Sequence, residues 1–159
     1  YFLSRSNAAS LQLLRGDLLL PNGGSSLAPP SRVLQLGVND VWGGSAPIDP
    51  ILANYEKLIQ QARAQNPRVV MVIAQIHKII TDNCKNDAST RNAQALVDAV
   101  PVWAKKVNTA ESPVFVADLW TNSDPKQSAD CVHPDDPGAQ RMGLNWYNAL
   151  KGILTPDQP

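Results

Sequence analysis

A carboxylate and a histidine three residues apart, Asp130 and His133, are the residues of this sequence best suited to moving a proton. In a loop, that spacing lets Asp130 accept a hydrogen bond from one ring nitrogen of His133, which leaves the other ring nitrogen basic. A base and its orienting carboxylate are two of the three members of a nucleophilic triad. A simple loop-stabilising contact has the same spacing, so a second motif has to support the catalytic interpretation.

That second motif is Gly37-Val38-Asn39-Asp40, which follows a short apolar run. The Asn39 carboxamide can donate a hydrogen bond to a developing oxyanion. The simpler interpretation is a strand-ending turn, in which glycine frees the backbone and Asn and Asp bond their own main chain. Taken alone, this motif favours the turn, so its function depends on where the fold places it relative to His133.

Alternating strands and helices are expected to position the two motifs. Apolar runs predict buried strands, and apolar residues that recur every three or four positions predict helices. The predicted strands cover residues 33–36, 69–76 and 114–117, and the predicted helices cover residues 48–62, 90–108 and the stretch from 137 onward. This alternation with short links predicts an α/β fold with a parallel sheet and right-handed crossovers.

Single residues add detail to the predicted helices. Asp49 is expected to cap the first helix, and Pro101 is expected to kink or break the second near Val97. The last helix is expected to bury an apolar face made of Ala139, Met142, Gly143, Trp146, Ala149 and Leu150.

The predicted topology brings the two motifs to one edge of the sheet. Ligands of open parallel sheets bind at the carboxyl ends of the strands. Asn39 follows the first predicted strand, and the loop with Asp130 and His133 follows the third. Their shared position favours the catalytic interpretation, with Asn39 stabilising an oxyanion while His133 transfers the proton.

Composition limits the classes of partner. At 159 residues the chain fits one domain, and its 14 acidic and 14 basic residues favour neither nucleic acid nor an anionic membrane as a partner. No apolar run approaches the length of a membrane span. The start at Tyr1, with no signal-like segment, is expected of a processed or truncated chain.

Cys84 and Cys131 could form one disulfide that holds the His133 loop and implies secretion, or they could be two unrelated thiols.

The motifs resemble those of a known family. G-x-N-D after a strand and D-x-x-H-P before the last helix are similar to the SGNH (GDSL-type) hydrolases, and the surrounding pattern is most similar to the acetyl xylan esterases of carbohydrate esterase family three. The resemblance implies a three-layer α/β/α fold with a short parallel, flavodoxin-like sheet in which the first strands are abbreviated or missing. We expect one domain over residues 1–159, with an atypical segment at 1–32 and the recognisable part at 33–154.

The resemblance also implies roles and a substrate. Asn39 would complete the oxyanion hole, and Asp130 and His133 would complete a triad with a serine, without a metal or cofactor. The substrate would be an acylated carbohydrate such as acetylated xylan, or another small ester, and the protein would be secreted. The alternative is a secreted, non-catalytic protein that binds carbohydrate or a host partner.

The chain departs from the family at its nucleophile. The family's first strand ends in Gly-Asp-Ser, whereas this sequence has leucine after Gly16-Asp17. The nucleophile then lies outside this chain, or a compressed arrangement uses Ser4 or Ser6.

In the compressed arrangement Gly23 or Gly24 would be an oxyanion donor. If the family's first strand is missing, the strand at 33–36 becomes an edge, which we expect residues 1–20 or a second copy of the chain to cover.

Overall fold

The computed structural model describes residues 31–42, 47–79 and 87–154. Strands and helices alternate along these residues, as the apolar periodicity predicts. In chain order they are β1 (Ser31–Leu34), α1 (Val38–Trp42), α2 (Ile48–Gln65), β2 (Val70–Ala74), α3 (Asp87–Val107), β3 (Val114–Ala117) and α4 (Asp136–Leu154). None of the helices described is both long and apolar enough to cross a bilayer.

The described strands form a parallel sheet in the order β1-β2-β3. β2 is central and all five of its residues are buried, which explains why its sequence is a continuous apolar run. Met71 and Ile73 of β2 face one side of the sheet, and Val72 and Ala74 face the other. The sheet therefore needs helices on both faces.

Helices α1, α2 and α3 belong to the larger apolar cluster, on the Met71 side. Ile59 of α2 and Leu96 of α3 are almost completely buried there, and the rings of Tyr55 and Trp103 meet edge to face with centroids 5.7 Å apart. Burial of this kind is the main stabilising contribution, because truncating one such aliphatic side chain to alanine typically costs about 2–5 kcal/mol.

Helix α4 covers the opposite face and completes the expected three-layer α/β/α arrangement. Its inward residues pack against Val72, Ala74, Ala117 and Leu119, and they are Met142, Trp146, Ala149, Leu150 and Ile153. The expectation that Gly143 and Ala139 are also buried is wrong. Both are exposed. Gly143 is turned about 100° from Met142 around the helix, and Ala139 lies one turn before the first residue in the cluster.

Two details of the helix ends and interior also differ from expectation. The N-cap of α2 is Pro47 rather than Asp49, because the helix begins at Ile48 and so places Asp49 inside the first turn. The predicted break in α3 is absent, and the helix runs through Pro101. The Val97 carbonyl, whose helical partner would be the missing N–H of Pro101, accepts a hydrogen bond from Gln75 Nε2 at 2.8 Å instead.

β1 lies at one edge of the sheet in the part of the chain that the structure describes, and it pairs with β2 there. The expected cover of this edge by residues 1–20 falls outside the described residues. The structure contains one chain, so it does not show whether a second copy covers the β1 edge. Both alternatives therefore stay predictions, as does the single domain over residues 1–159.

Candidate functional site

The chain turns sharply between β1 and the helix that carries Asn39. Gly37 has a positive φ of 102°, and a Cβ there would lie 2.6 Å from both the Tyr55 hydroxyl and Leu96. Only glycine fits this turn. The Tyr55 hydroxyl donates to the Leu36 carbonyl at 2.6 Å. Burial, with a further contribution from Asp40, raises the pKa of Tyr55 well above its ordinary value, so the hydroxyl keeps its proton. Asn39 follows in α1 and is exposed.

Asp130 and His133 meet as their spacing predicts. Asp130 Oδ2 lies 2.6 Å from His133 Nδ1, and Asp130 Oδ1 accepts the main-chain N–H groups of Val132 at 3.1 Å and His133 at 2.8 Å. Between them, Cys131 adopts the left-handed conformation, with φ of 73°. This conformation is uncommon for a residue other than glycine and turns the backbone back on itself. One carboxylate thus orients both the ring and the backbone of His133.

The electrostatics of the pair follow from these bonds. The backbone N–H of His133, its ring and the N–H of Val132 lower the pKa of Asp130 from 3.8 to about 2. The carboxylate is therefore ionised at neutral pH and favours a proton on Nδ1 of His133. Nε2 is then the ring nitrogen that can accept a proton from a hydroxyl. Both side chains are about half exposed, at 45% for His133 and 56% for Asp130.

The backbone around His133 is also held. Its carbonyl accepts hydrogen bonds from the Ala129 N–H at 2.9 Å and the Ser128 hydroxyl at 3.0 Å. Two residues later, Asp135 caps α4 by accepting the Gly138 N–H at 2.8 Å. A Cβ on Gly138 would overlap the Gln127 carbonyl, so the backbones pass closely at this position. The candidate base is therefore fixed between a closed loop and a capped helix.

His77 is a site residue that sequence reasoning missed, since the sequence placed it only in a polar loop. It lies three residues after the end of β2 and is buried. Its Nε2 is 2.9 Å from the Val132 carbonyl, and its Nδ1 is 3.4 Å from Gln35 Nε2. The one available signal was its position after the central strand, at the carboxyl edge where both motifs were expected.

The loop after β3 is organised by Asp118. This carboxylate accepts the N–H groups of Trp120 at 2.9 Å and Thr121 at 2.8 Å. Burial raises the pKa of Asp118, but these hydrogen bonds and the nearby Lys78 lower it by more, so the pKa lies below 3.8. The Lys78 ammonium lies 5.9 Å from the centre of the Trp120 ring. Asp118 thus shapes the loop by its local bonds.

The structure places the predicted residues as follows. Asp130 and His133 are in contact, and Asn39 follows β1, so both motifs come after carboxyl ends of parallel strands. Cys131 lies between Asp130 and His133 in this loop, but Cys84 lies outside the described residues, so the predicted pairing of the two cysteines stays a prediction.

The remaining candidates, Ser4, Ser6, Gly23 and Gly24, also lie outside the described residues. Within the part that is described, no group of three or more His, Cys, Asp or Glu side chains is arranged to hold a metal ion.

Comparison with known proteins gives the site a context. Residues 4–141 match the family described as the GDSL-like lipase/acylhydrolase family. Two similar solved structures are an acetyl esterase mutant with an acetate ion and a carbohydrate esterase family 3 protein from Talaromyces cellulolyticus. Each is 28% identical to this chain, with a TM-score of 0.67. Each alignment covers 78% of this chain and 58% of the other, so this chain spans less than two thirds of their length. A search of curated proteins found no match.

Proposed function

Because this chain belongs to the GDSL-like lipase/acylhydrolase family, we propose that it contributes the base, the orienting carboxylate and an oxyanion donor of a serine esterase. The observation that carries the proposal is the 2.6 Å contact between Asp130 Oδ2 and His133 Nδ1. It orients the ring as a triad requires. The similarity of the fold to carbohydrate esterase family 3 supports the same chemistry.

The proposed reaction proceeds in two halves. His133 Nε2 takes the proton of a serine hydroxyl as the serine oxygen bonds to the acyl carbon, and Asp130 stabilises the resulting imidazolium. The carbonyl oxygen becomes an oxyanion, to which the Asn39 carboxamide donates. One such donor typically contributes about 10²–10³-fold to kcat. His133 then gives its proton to the departing alcohol, and water repeats the sequence on the acyl-enzyme to release the acid.

The serine belongs to this chain or to a longer protein of which the chain is part. Ser4 and Ser6 are the candidates here, and the matched family region begins at residue 4. A serine beyond this chain is the alternative, because leucine follows Gly16-Asp17 and the chain spans only 58% of its structural relatives. A covalent label distinguishes the two.

The proposed substrate is a small O-acyl group, chiefly acetyl, on a carbohydrate such as xylan. The printed descriptions of the two similar structures, an acetyl esterase and a carbohydrate esterase, support this class. We also propose secretion, because the expected disulfide between Cys84 and Cys131 is typical of an oxidising compartment.

The test combines turnover with labelling. Hydrolysis of p-nitrophenyl acetate should be abolished by His133→Ala and unchanged by Lys105→Ala, an exposed substitution near the end of α3. A fluorophosphonate should label one serine, and peptide mass spectrometry should identify it as Ser4 or Ser6. Turnover that survives His133→Ala would refute the proposed base.

A second function is favoured by the leucine that follows Gly16-Asp17. Without a serine nucleophile, the same fold would bind acylated carbohydrate, or a host partner, without cleaving it. Absence of fluorophosphonate labelling in this chain and in any longer protein that contains it, together with retention on immobilised acetylated xylan that Asn39→Ala weakens, would support this function over the esterase.

A further inference from the structure

The peptide group that joins Val132 to His133 is held at both of its polar ends. Its carbonyl, on Val132, lies 2.9 Å from Nε2 of His77, and its N–H, on His133, donates to Asp130 Oδ1 at 2.8 Å. His77 and Asp130, which bind the two ends of this peptide group, lie in different parts of the chain. Asp130 belongs to the same loop, whereas His77 is buried and follows the central strand. The contact with His77 therefore connects the loop of the candidate base to the segment that follows the buried central strand.

The protonation of His77 follows from its neighbours. The Trp146 indole can only donate, and its Nε1 lies 3.2 Å from Gln35 Oε1. This contact fixes the Gln35 amide with its NH₂ toward Nδ1 of His77, at 3.4 Å, and toward the Met142 sulfur, at 3.2 Å. Nδ1 of His77 must then accept a hydrogen bond. The ring proton lies on Nε2, from which it is donated to the Val132 carbonyl.

We propose that His77 is a positioning residue for His133, acting through the Val132 carbonyl, and that Trp146 and Gln35 select the tautomer that makes this possible. The inference rests on the proposed role of His133 as base, because positioning affects catalysis only if the His133 ring must lie at a fixed distance from the nucleophile. The ring-to-carbonyl contact restrains the peptide plane, and the plane sets the direction in which the His133 side chain leaves the backbone.

The geometry explains why a histidine suits this position. The donor must reach from the residues after β2 to a carbonyl in the loop after β3, and the other ring nitrogen must accept from the partly buried Gln35 amide. An imidazole does both with one rigid ring. Leucine would fill much of the same space but would leave the partly buried Val132 carbonyl and Gln35 amide without this partner, and removing one hydrogen-bond partner is costly.

Nuclear magnetic resonance on the full chain tests the proposal without requiring activity. The sequence contains only two histidines, so the ¹⁵N signals of both rings can be assigned with single variants. The wild-type spectrum should show His77 protonated at Nε2 and bare at Nδ1. Trp146→Phe removes the donor that orients Gln35, and it should convert His77 to a mixture of tautomers. A wild-type His77 protonated at Nδ1 would overturn the proposal.

Loop positioning has its own readout. In His77→Leu, hydrogen exchange at the His133 amide should accelerate about 2- to 10-fold, the scale set by losing one neutral hydrogen bond. His77→Gln places an amide N–H near the position of Nε2 and should restore slow exchange. Lys106→Ala, an exposed change in the last turn of α3, is the control. Equal exchange rates in His77→Leu and wild type would refute the restraint.

Turnover separates this inference from the proposed function. On p-nitrophenyl acetate, His77→Leu should lower kcat with little change in KM, and His77→Gln should recover most of the loss. A lowered kcat that His77→Gln does not recover would contradict the role of the donor. If wild type shows no turnover while the tautomer and exchange results are as expected, this chain alone is not an esterase and the restraint on the His133 loop stands.

Discussion

Asp130 holds His133 twice, with Oδ2 on the ring Nδ1 at 2.6 Å and Oδ1 on the main-chain N–H at 2.8 Å. The two bonds have different consequences. The main-chain bond closes the loop, whereas the ring bond selects the tautomer in which Nε2 can act as a base. Substitutions that remove one bond and keep the other can therefore separate structure from chemistry.

Asp130→Asn is expected to be such a substitution. The amide oxygen can still accept the main-chain N–H groups, but its NH₂ faces Nδ1 and favours the opposite tautomer. If the chain is an esterase, kcat should fall about 10⁴-fold, the scale of the same change in a serine protease triad. Circular dichroism should show the native spectrum and a melting temperature that falls slightly, because the amide keeps the main-chain bonds but lacks the stabilising negative charge. Asp124→Asn is a matched control, since Asp124 also accepts a main-chain N–H, from Lys126 at 2.9 Å, outside the triad. Comparable losses of kcat in Asp130→Asn and Asp124→Asn would contradict a specific role for Asp130.

The pH dependence of the loop should follow Asp130. Because folding lowers its pKa from 3.8 to about 2, the ionised carboxylate stabilises the folded loop above pH 3.8. This contribution is lost as the pH falls through about 2. A ¹³C titration of the Asp130 carboxyl group should have its midpoint near 2.

His133→Ala refines the same titration. It removes the ring bond but keeps the main-chain N–H, which is the largest cause of the lowered pKa, so the midpoint should rise only part of the way toward 3.8. If the midpoint returned completely to 3.8, the ring bond and not the main-chain bond would be the main cause of the lowered pKa of Asp130.

The disulfide can be tested by mass. We expect Cys131 and Cys84, the two cysteines of the sequence, to form a disulfide. Alkylation of the unreduced protein should add no label, and a tryptic digest should yield one linked peptide pair. Replacing both cysteines by serine should lower the free energy of unfolding by about 4 kcal/mol, from the entropy of the closed loop. Two alkylated cysteines in protein prepared under oxidising conditions would rule out the bridge.

The inner face of α4 should be sensitive to truncation at Trp146. This residue packs in the cluster beneath α4 and also donates to Gln35 at 3.2 Å. We expect Trp146→Ala to reduce the free energy of unfolding by about 3 kcal/mol in a urea melt, and Gln140→Ala, on the exposed side of the same helix, by less than about 0.5 kcal/mol. If both variants lost a similarly small part of the free energy of unfolding, the buried face of α4 would be misassigned.

Sequence reasoning located the elements better than their ends. The strand at Val114–Ala117 was predicted to the residue, because it is a short apolar run whose valines and phenylalanine favour strands. The first strand lies two residues earlier than predicted, at Ser31–Leu34. Its last predicted residues lead into the turn that Gly37 and the Tyr55 hydroxyl define, and Tyr55 comes from a different helix.

What the sequence by itself determined was local: the alternation of strands and helices, and the contact between Asp130 and His133, whose partners are three residues apart. Only the tertiary structure decided which distant groups support that contact. His77 reaches a carbonyl 55 residues away, Gln35 meets Trp146 across 111 residues, and Gln75 takes the carbonyl that Pro101 leaves without a partner. The physical reason is that spacing reports only on neighbours within a turn or a strand. Long-range partners depend on strand order, register and the face on which each helix packs.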